Sequence, residues 1–348
     1  MTALPRIALI GCGRIGQIHA EHLAALHGHA ELAAVADPRE DAARALAERL
    51  GVPRWTPHAE DVLADPSIDA VIIASSTETH ARYIEIAARH GKDAFTEKPI
   101  ALELEATDRA LAAVERAGTR LQVGFQRRFD SGYRAAYEMI RRGDLGTLEM
   151  IRDAMRDPQP PPAAYIAASG GLYRDMTIHN FDCVRWLMGE EPSEVYATGS
   201  VLVDDMIGRA GDIDTSVVVL RFGSGALGTI ENSRRSGFGY DVRTEVFGAR
   251  GAVMIGQSRE VPLRRYDASG VHEDHLHFFL ERFREAYRQE IMAFCEAIRT
   301  DAPVPVPGEE GRAALRLAYA AERSRAEHRP VRIDEHLALA EPEEVTRG

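Results

Sequence analysis

The turn Gly11-Cys12-Gly13-Arg14-Ile15-Gly16 constrains this chain more than any other stretch. It stands between a short apolar run, Ile7 to Ile10, and a helical pattern running from Ile15 to Leu26. In such a strand–turn–helix unit the first glycine permits the tight turn and the second lets a pyrophosphate approach the backbone. The third lets helix and strand pack closely. Gly11, Gly13 and Gly16, with Arg14 and Ile15 between them, are therefore assigned to dinucleotide binding. Helix-start amides bind phosphate without basic side chains, so the net charge of −12 is no obstacle to that ligand. The same charge argues against nucleic acid or an anionic membrane as a partner. The next apolar run, Leu32 to Ala36, ends at Asp37, where a carboxylate would accept a hydrogen bond from a ribose hydroxyl. It would also repel the 2′-phosphate of NADP, so NAD is the expected cofactor. Arg39, two residues on, is read as solvated or as the start of the next helix.

Strand and helix patterns keep alternating through the first third, which predicts a parallel sheet covered on both faces. Ala70 to Ala74 (AVIIA) reads as a fully buried strand, and Ser75, Thr77 and His80 follow its carboxyl end, where such sheets bind ligands. A threonine helix cap and a local hydrogen bond by His80 account for the same residues. A structural role with some cofactor contact is expected. Glu97-Lys98-Pro99 ends the next strand, and the proline turn lets Lys98 point off the strand end. An ammonium in a partly dry site can stabilise an alkoxide as it forms; a surface lysine would look the same. Of the 42 basic residues only Lys92 and Lys98 are lysines. Lys92 is read as exposed and replaceable by arginine.

After about Gly124 the rhythm changes. A helix, a strand and the proline-rich loop Pro158 to Pro162 lead into GGLYRDMTIHNFD, Gly170 to Asp182. Here Asp175, His179 and Asp182 recur at i, i+4 and i+7, which on a helix is one face. An aspartate one turn before a histidine can hold one ring nitrogen and leave the other to take a proton. A surface histidine near a helix start would share the pattern. Alternating runs from Glu194 to Ile255 with glycine turns then predict an antiparallel sheet of hairpins, followed by two tail helices. The expected fold class is α/β: a Rossmann dinucleotide-binding domain over residues 1–124, then an α+β domain over 125–348 with a large, mainly antiparallel open sheet. That sheet has too few helices to cover both faces, which predicts a homo-oligomer, a tetramer, burying the bare one. Cys12, Cys183 and Cys295 have no metal or disulfide spacing, and no run has transmembrane length, so a reducing cytoplasm is expected. HEDHLH, with His272, His275 and His277, is read as a polar loop; no metal site is expected.

Taken together, GCGRIGQIH, EKP, the Asp175-to-His179 spacing and the order of domains resemble the glucose–fructose oxidoreductase, inositol dehydrogenase and MocA family. GFQRRFD (Gly124 to Asp130), MRDPQPPP (Met155 to Pro162), GGLYRDMTIHNFD and FFLERFREAY are most similar to its bacterial inositol 2-dehydrogenases. The similarity covers about residues 5 to 330. It implies NAD-dependent oxidation of a ring hydroxyl of a cyclic polyol, myo-inositol to 2-keto-myo-inositol, by a tetramer packed through open sheets. Lys98, Asp175 and His179 would be the catalytic trio: His179 takes the hydroxyl proton, Asp175 orients it and Lys98 steadies the oxygen. Glu97 is counted with the cofactor site, and Arg127, Asp157 and Tyr240 with the substrate site. Gln126 stands where close relatives often have asparagine. The competing expectations are a dehydrogenase of scyllo-inositol or an aldose, an NAD-dependent glycosidase, and a sugar or nucleotide sensor without turnover.

Overall fold

A computed structural model of the chain describes residues 4–256 and 263–335. In chain order the elements begin β1 Arg6–Ile10, α1 Arg14–Ala25, β2 Glu31–Ala36, α2 Glu40–Leu50, β3 Trp55–Thr56, α3 Ala59–Leu63, β4 Ala70–Ile73, α4 Thr77–Arg89, β5 Asp93–Glu97, α5 Leu104–Ala117 and β6 Leu121–Gly124. They continue with α6 Ser131–Arg141, β7 Leu148–Arg156, α7 Ala163–Ala168, α8 Ile178–Met188, β8 Pro192–Ser200, α9 Asp205–Arg209, β9 Thr215–Phe222, β10 Leu227–Ser233, β11 Asp241–Gly248 and β12 Gly251–Ile255. The remainder is β13 Arg264–Asp267, β14 Gly270–Glu273, α10 Phe279–Arg282, α11 Arg284–Thr300, α12 Gly308–Glu327 and β15 Val331–Arg332.

Two compact units result. The first holds the chain up to Arg134 and again Phe283–Ala313; the second holds Ala135–Arg282 and the chain from Ala314 onward. These units are drawn differently from a single cut at residue 124. The tail helix expected over Phe279 to Arg299 is broken at the buried Phe283, and α11 beyond the break lays Ile291, Phe294 and Cys295 in the core of the first unit. Residues 336–348 lie outside the described residues.

In the first unit six parallel strands stand in the order β3-β2-β1-β4-β5-β6. From β1 the chain winds to one side through β2 and β3, then returns to β4 on the other. Ligands bind outside the carboxyl ends of the strands at that switch. Both faces are covered, so β4 is apolar without alternation and buried at every position. Val71, Ile72 and Ile73 each stabilise the unit by about 1.5–3 kcal/mol. Lys92 is not exposed as expected: it is buried, and Nζ donates to the carbonyls of Asp65 and Ile68, both at 2.6 Å. It ties the turn before β5 to the loop before β4, and burial lowers its pKa.

The second unit is built on a seven-stranded sheet in the order β12-β11-β7-β10-β9-β8-β15. It is mainly antiparallel, but β10 runs parallel to β7 along its whole length. The expected succession of hairpins is therefore interrupted. β7, made some seventy residues earlier than β10, inserts between β10 and β11, so Ser233 to Asp241 is a crossover and not a tight turn. One face of the sheet carries α8, which is buried nearly all round. On the other face Met150, Tyr196, Val217, Val219, Leu227 and Phe247 are each 40–47% exposed and Met254 76%.

Candidate active site

In the first unit, the three glycines of the turn have three different surroundings. Gly11 has φ +100°, and a Cβ there would lie 2.4 Å from the Ala74 carbonyl oxygen. A Cβ on Gly16 would lie 1.8 Å from the carbonyl oxygen of Gly11. The protein's own packing demands both. At Gly13 a Cβ would meet nothing within 4 Å. Space left open in front of a helix start, with no side chain capping Gly13, fits a pyrophosphate and not a packing need. Arg14 is exposed and Ile15 half-buried at the same turn.

Asp37 is held tightly at the end of β2. The Cys12 amide donates to its Oδ2 at 2.7 Å, and the Arg39 amide donates to its Oδ1 at 2.9 Å. The Arg39 guanidinium also reaches Oδ1, at 3.2 Å. Burial alone would raise the carboxyl pKa, but these donors and the arginine charge outweigh it and hold the group below its ordinary value. Arg39 sits at the cap of α2, as expected, with its side chain exposed.

Past β4, Ser75 Oγ and Thr79 Oγ1 are 2.6 Å apart, and Thr79 Oγ1 donates to the Ser76 carbonyl. Thr77 opens α4 half-buried. His80 is buried, with Nδ1 2.8 Å from the Pro99 carbonyl and Nε2 3.1 Å from that of Ser75. Its ring ties the turn after β5 to the end of β4. Burial lowers its pKa, which suits a neutral ring donating through one nitrogen. Glu97 and Lys98 end β5 half-buried, and the Lys98–Pro99 peptide is cis. Arg127, in a 3₁₀ turn over Gln126–Phe129, is 1% exposed.

In the second unit, the stretch around Asp175 is not a regular helix. Tyr173–Thr177 forms a π turn that runs straight into α8. Asp175 and His179 thus span the join of two helical geometries, and the expected face of three does not follow from a 3.6-residue repeat. Asp175 is buried, His179 half-buried, and Asp182 1% exposed. Tyr165 Oη donates to Asp175 Oδ1 at 2.8 Å, and Arg234 Nη1 lies 2.9 Å from Asp175 Oδ2. The same Nη1 is 3.6 Å from Asp157 Oδ2. Burial would lower the Arg234 pKa, but the two aspartates raise it, so it stays a cation. Burial and the Asp175 charge push the Tyr165 hydroxyl above its usual range, keeping it a donor. Tyr240 is buried beside Phe279 and donates its amide to the Leu276 carbonyl.

Two sequence families match the chain. Residues 5–125 match the oxidoreductase family with an NAD-binding Rossmann fold, and residues 133–254 match the GFO/IDH/MocA C-terminal domain. A protein named myo-inositol 2-dehydrogenase, from Thermotoga maritima, is 46% identical over 331 residues, 95% of this chain and 99% of its own. An inositol 2-dehydrogenase of Rhizobium meliloti is 45% identical over 94% of this chain and 99% of its own. The crystal structure of scyllo-inositol dehydrogenase from Lactobacillus casei with bound NAD(H) and scyllo-inositol superposes with a TM-score of 0.89. It is 29% identical and covers 96% of this chain and 100% of that one. The chain belongs to the GFO/IDH/MocA oxidoreductase family. Its cofactor is NAD.

For a member of this family, several residues at the site were not found by sequence reasoning. Arg234 and Tyr165 hold Asp175 from 59 and 10 positions away, and no motif marks either. Beneath them, Asn180 Nδ2 donates to Asp153 Oδ2 at 2.8 Å and Thr244 Oγ1 to Asp153 Oδ1 at 2.7 Å. Asn232 Nδ2 donates to Asn180 Oδ1, and Thr177 Oγ1 to Asn232 Oδ1. This buried network ties the π turn and α8 to three strands. The one available signal was polarity inside otherwise apolar patterns, Asn180 beside His179 and Asn232 in β10.

Proposed function

We propose that this chain is an NAD-dependent inositol 2-dehydrogenase that oxidises myo-inositol to 2-keto-myo-inositol. The observation that carries the reading is a half-buried histidine, His179, one turn past an aspartate that a buried arginine and a tyrosine hold in place. It stands in a chain with the open Gly13 turn and Asp37, and likeness along nearly the whole length to proteins named inositol 2-dehydrogenases supports it.

His179 takes the proton of the substrate hydroxyl. Asp175 orients the ring and balances its charge as it becomes imidazolium. Lys98 donates a hydrogen bond to the oxygen as it changes from hydroxyl to carbonyl. Arg127, Asp157 and Tyr240 hold the other hydroxyls. Gly11, Gly13, Arg14, Ile15, Gly16, Asp37, Ser75, Thr77, His80 and Glu97 bind or brace the cofactor. The NAD that these residues would hold would supply the hydride acceptor for the carbon that bears that oxygen. A second reading, scyllo-inositol as the preferred isomer, has the scyllo-inositol complex in its favour. NADH formation over the inositol stereoisomers and common aldoses tests both, and a higher kcat/KM for glucose than for any inositol sinks them together.

The exposed apolar face of the sheet supports a homotetramer buried through that face. A single monomeric species by light scattering at micromolar concentration overturns it. Three buried free thiols support a cytoplasmic location. Among the described residues no helix is long and apolar enough to cross a membrane.

A further inference from the structure

His19 of α1, Glu97 at the end of β5 and Glu290 of α11 bring a ring nitrogen and carboxylate oxygens within 4.8 Å of one another, inside the first unit. His19 and Glu290 are wholly buried, and Glu97 is partly so. His19 Nε2 and Glu97 Oε1 are 2.6 Å apart, a hydrogen-bonded pair with the hydrogen on the nitrogen. The ring is gripped edge-on by Phe95, centroids 5.2 Å apart, and by Tyr287 at 5.9 Å. Gly124 makes room for the glutamate: a Cβ there would lie 3.3 Å from Glu97 Oε1.

Glu290 is the anomaly. Neither of its carboxylate oxygens has a hydrogen-bond donor among the described residues. A buried anion without a donor, next to a second carboxylate, is the least tolerable state for either group. One proton between the two acids removes the repulsion and supplies the missing hydrogen bond. Burial, then the charge of Glu97, pushes the Glu290 carboxyl well above the usual carboxylate range. A shared metal ion fits less well. Donor atoms about 2 Å from one tetrahedral metal stand more than about 3 Å apart, and the histidine–glutamate pair is closer than that.

We propose that Glu290 is a positioning residue that carries a proton at neutral pH and through it donates a hydrogen bond to Glu97. With His19 as the second donor, the Glu97 carboxylate is clamped from both sides at the carboxyl end of β5. The clamp spans the helix after the glycine turn, the strand that leads into Lys98, and α11. It sets the floor of the cofactor site one residue before Lys98. The inference rests on the reading that Glu97 belongs to that site.

Three variants of the full chain test it, by NADH fluorescence titration and steady-state kinetics. Glu290→Leu should weaken NADH binding or lower kcat by about tenfold or more, because the released Glu97 shifts the strand end. Glu290→Gln keeps a neutral donor of the same shape and should recover most of that loss. In infrared difference spectra across a pH titration, wild type should show a protonated-carboxyl band that Glu290→Gln lacks. Glu290→Gln as impaired as Glu290→Leu, or a wild type without the band, overturns the proposal. So does one equivalent of zinc bound by wild type and lost in Glu290→Gln. Should Glu290→Leu not fold, the band and the Gln variant still decide. Glu97→Gln separates the underlying reading: if it binds NADH and turns over as wild type, Glu97 is not in the cofactor site, whatever Glu290 does.

Discussion

Two buried aspartates, Asp37 and Asp175, are held in opposite ways. Asp37 receives two of its donors from backbone amides, those of Cys12 and Arg39, set by the glycine turn and by the helix start two residues on, with the exposed Arg39 guanidinium as a third. Asp175 receives its donors from side chains, Tyr165 and Arg234, brought in by separate elements. Amides come with the fold and survive most substitutions. A side-chain cage is lost with any one of its members. The NAD-binding region should therefore bend under mutation, while the region around His179 should break.

The largest effect is expected one turn past the caged aspartate. His179→Ala should lower kcat by about 10²- to 10⁴-fold and leave NADH affinity, read by fluorescence, near wild type. A variant that keeps more than about a tenth of kcat, with chemistry shown to limit the rate, removes His179 from the role of base.

Arg234→Leu tests the cage at a distance. It takes the guanidinium away from buried Asp175 and half-buried Asp157, and breaking the buried pair with Asp175 costs about 3–5 kcal/mol. Thermal unfolding should shift down accordingly and kcat should fall at least about tenfold. A variant with unchanged Tm would mean that the guanidinium does not stabilise the two carboxylates.

Asp37→Ser should be milder. Removing the carboxylate takes away its repulsion of the 2′-phosphate and frees Arg39, so the preference for NAD over NADP should narrow by about tenfold in kcat/KM. The stability cost should be about 1 kcal/mol at neutral pH. Because the folded-state pKa is depressed, this contribution is full above the ordinary aspartate value of 3.8 and fades as pH falls through the lower folded value. Wild type and variant should converge in acid denaturation below that value; a gap that widens there contradicts the assignment.

The smallest effect on catalysis belongs to a lysine outside both sites. Lys92→Arg should cost about 1–3 kcal/mol, since the wider guanidinium must replace an ammonium seated between two carbonyls. Its kcat should not change. Equal Tm for variant and wild type would show that the seat accommodates arginine.

The parts legible in the sequence were those whose partners are near in the chain or are the backbone itself. GxGxxG announces its turn because Gly11 and Gly16 answer to local packing, and Asp37 follows one strand later. The Asp175-to-His179 spacing was readable as residues, though not as geometry, because a π turn has no sequence signature of its own. What the tertiary structure alone decided lies in long-range pairing. The parallel alignment of β7 with β10 followed from which strands could share a sheet, and hairpin-length turns suggested otherwise. Arg234 beside Asp175, Glu290 beside Glu97 and Lys92 under its two carbonyls each depend on elements far apart in sequence. A charged residue's local pattern does not encode its burial. That is set by what the rest of the chain packs around it, and with it the protonation state and the role.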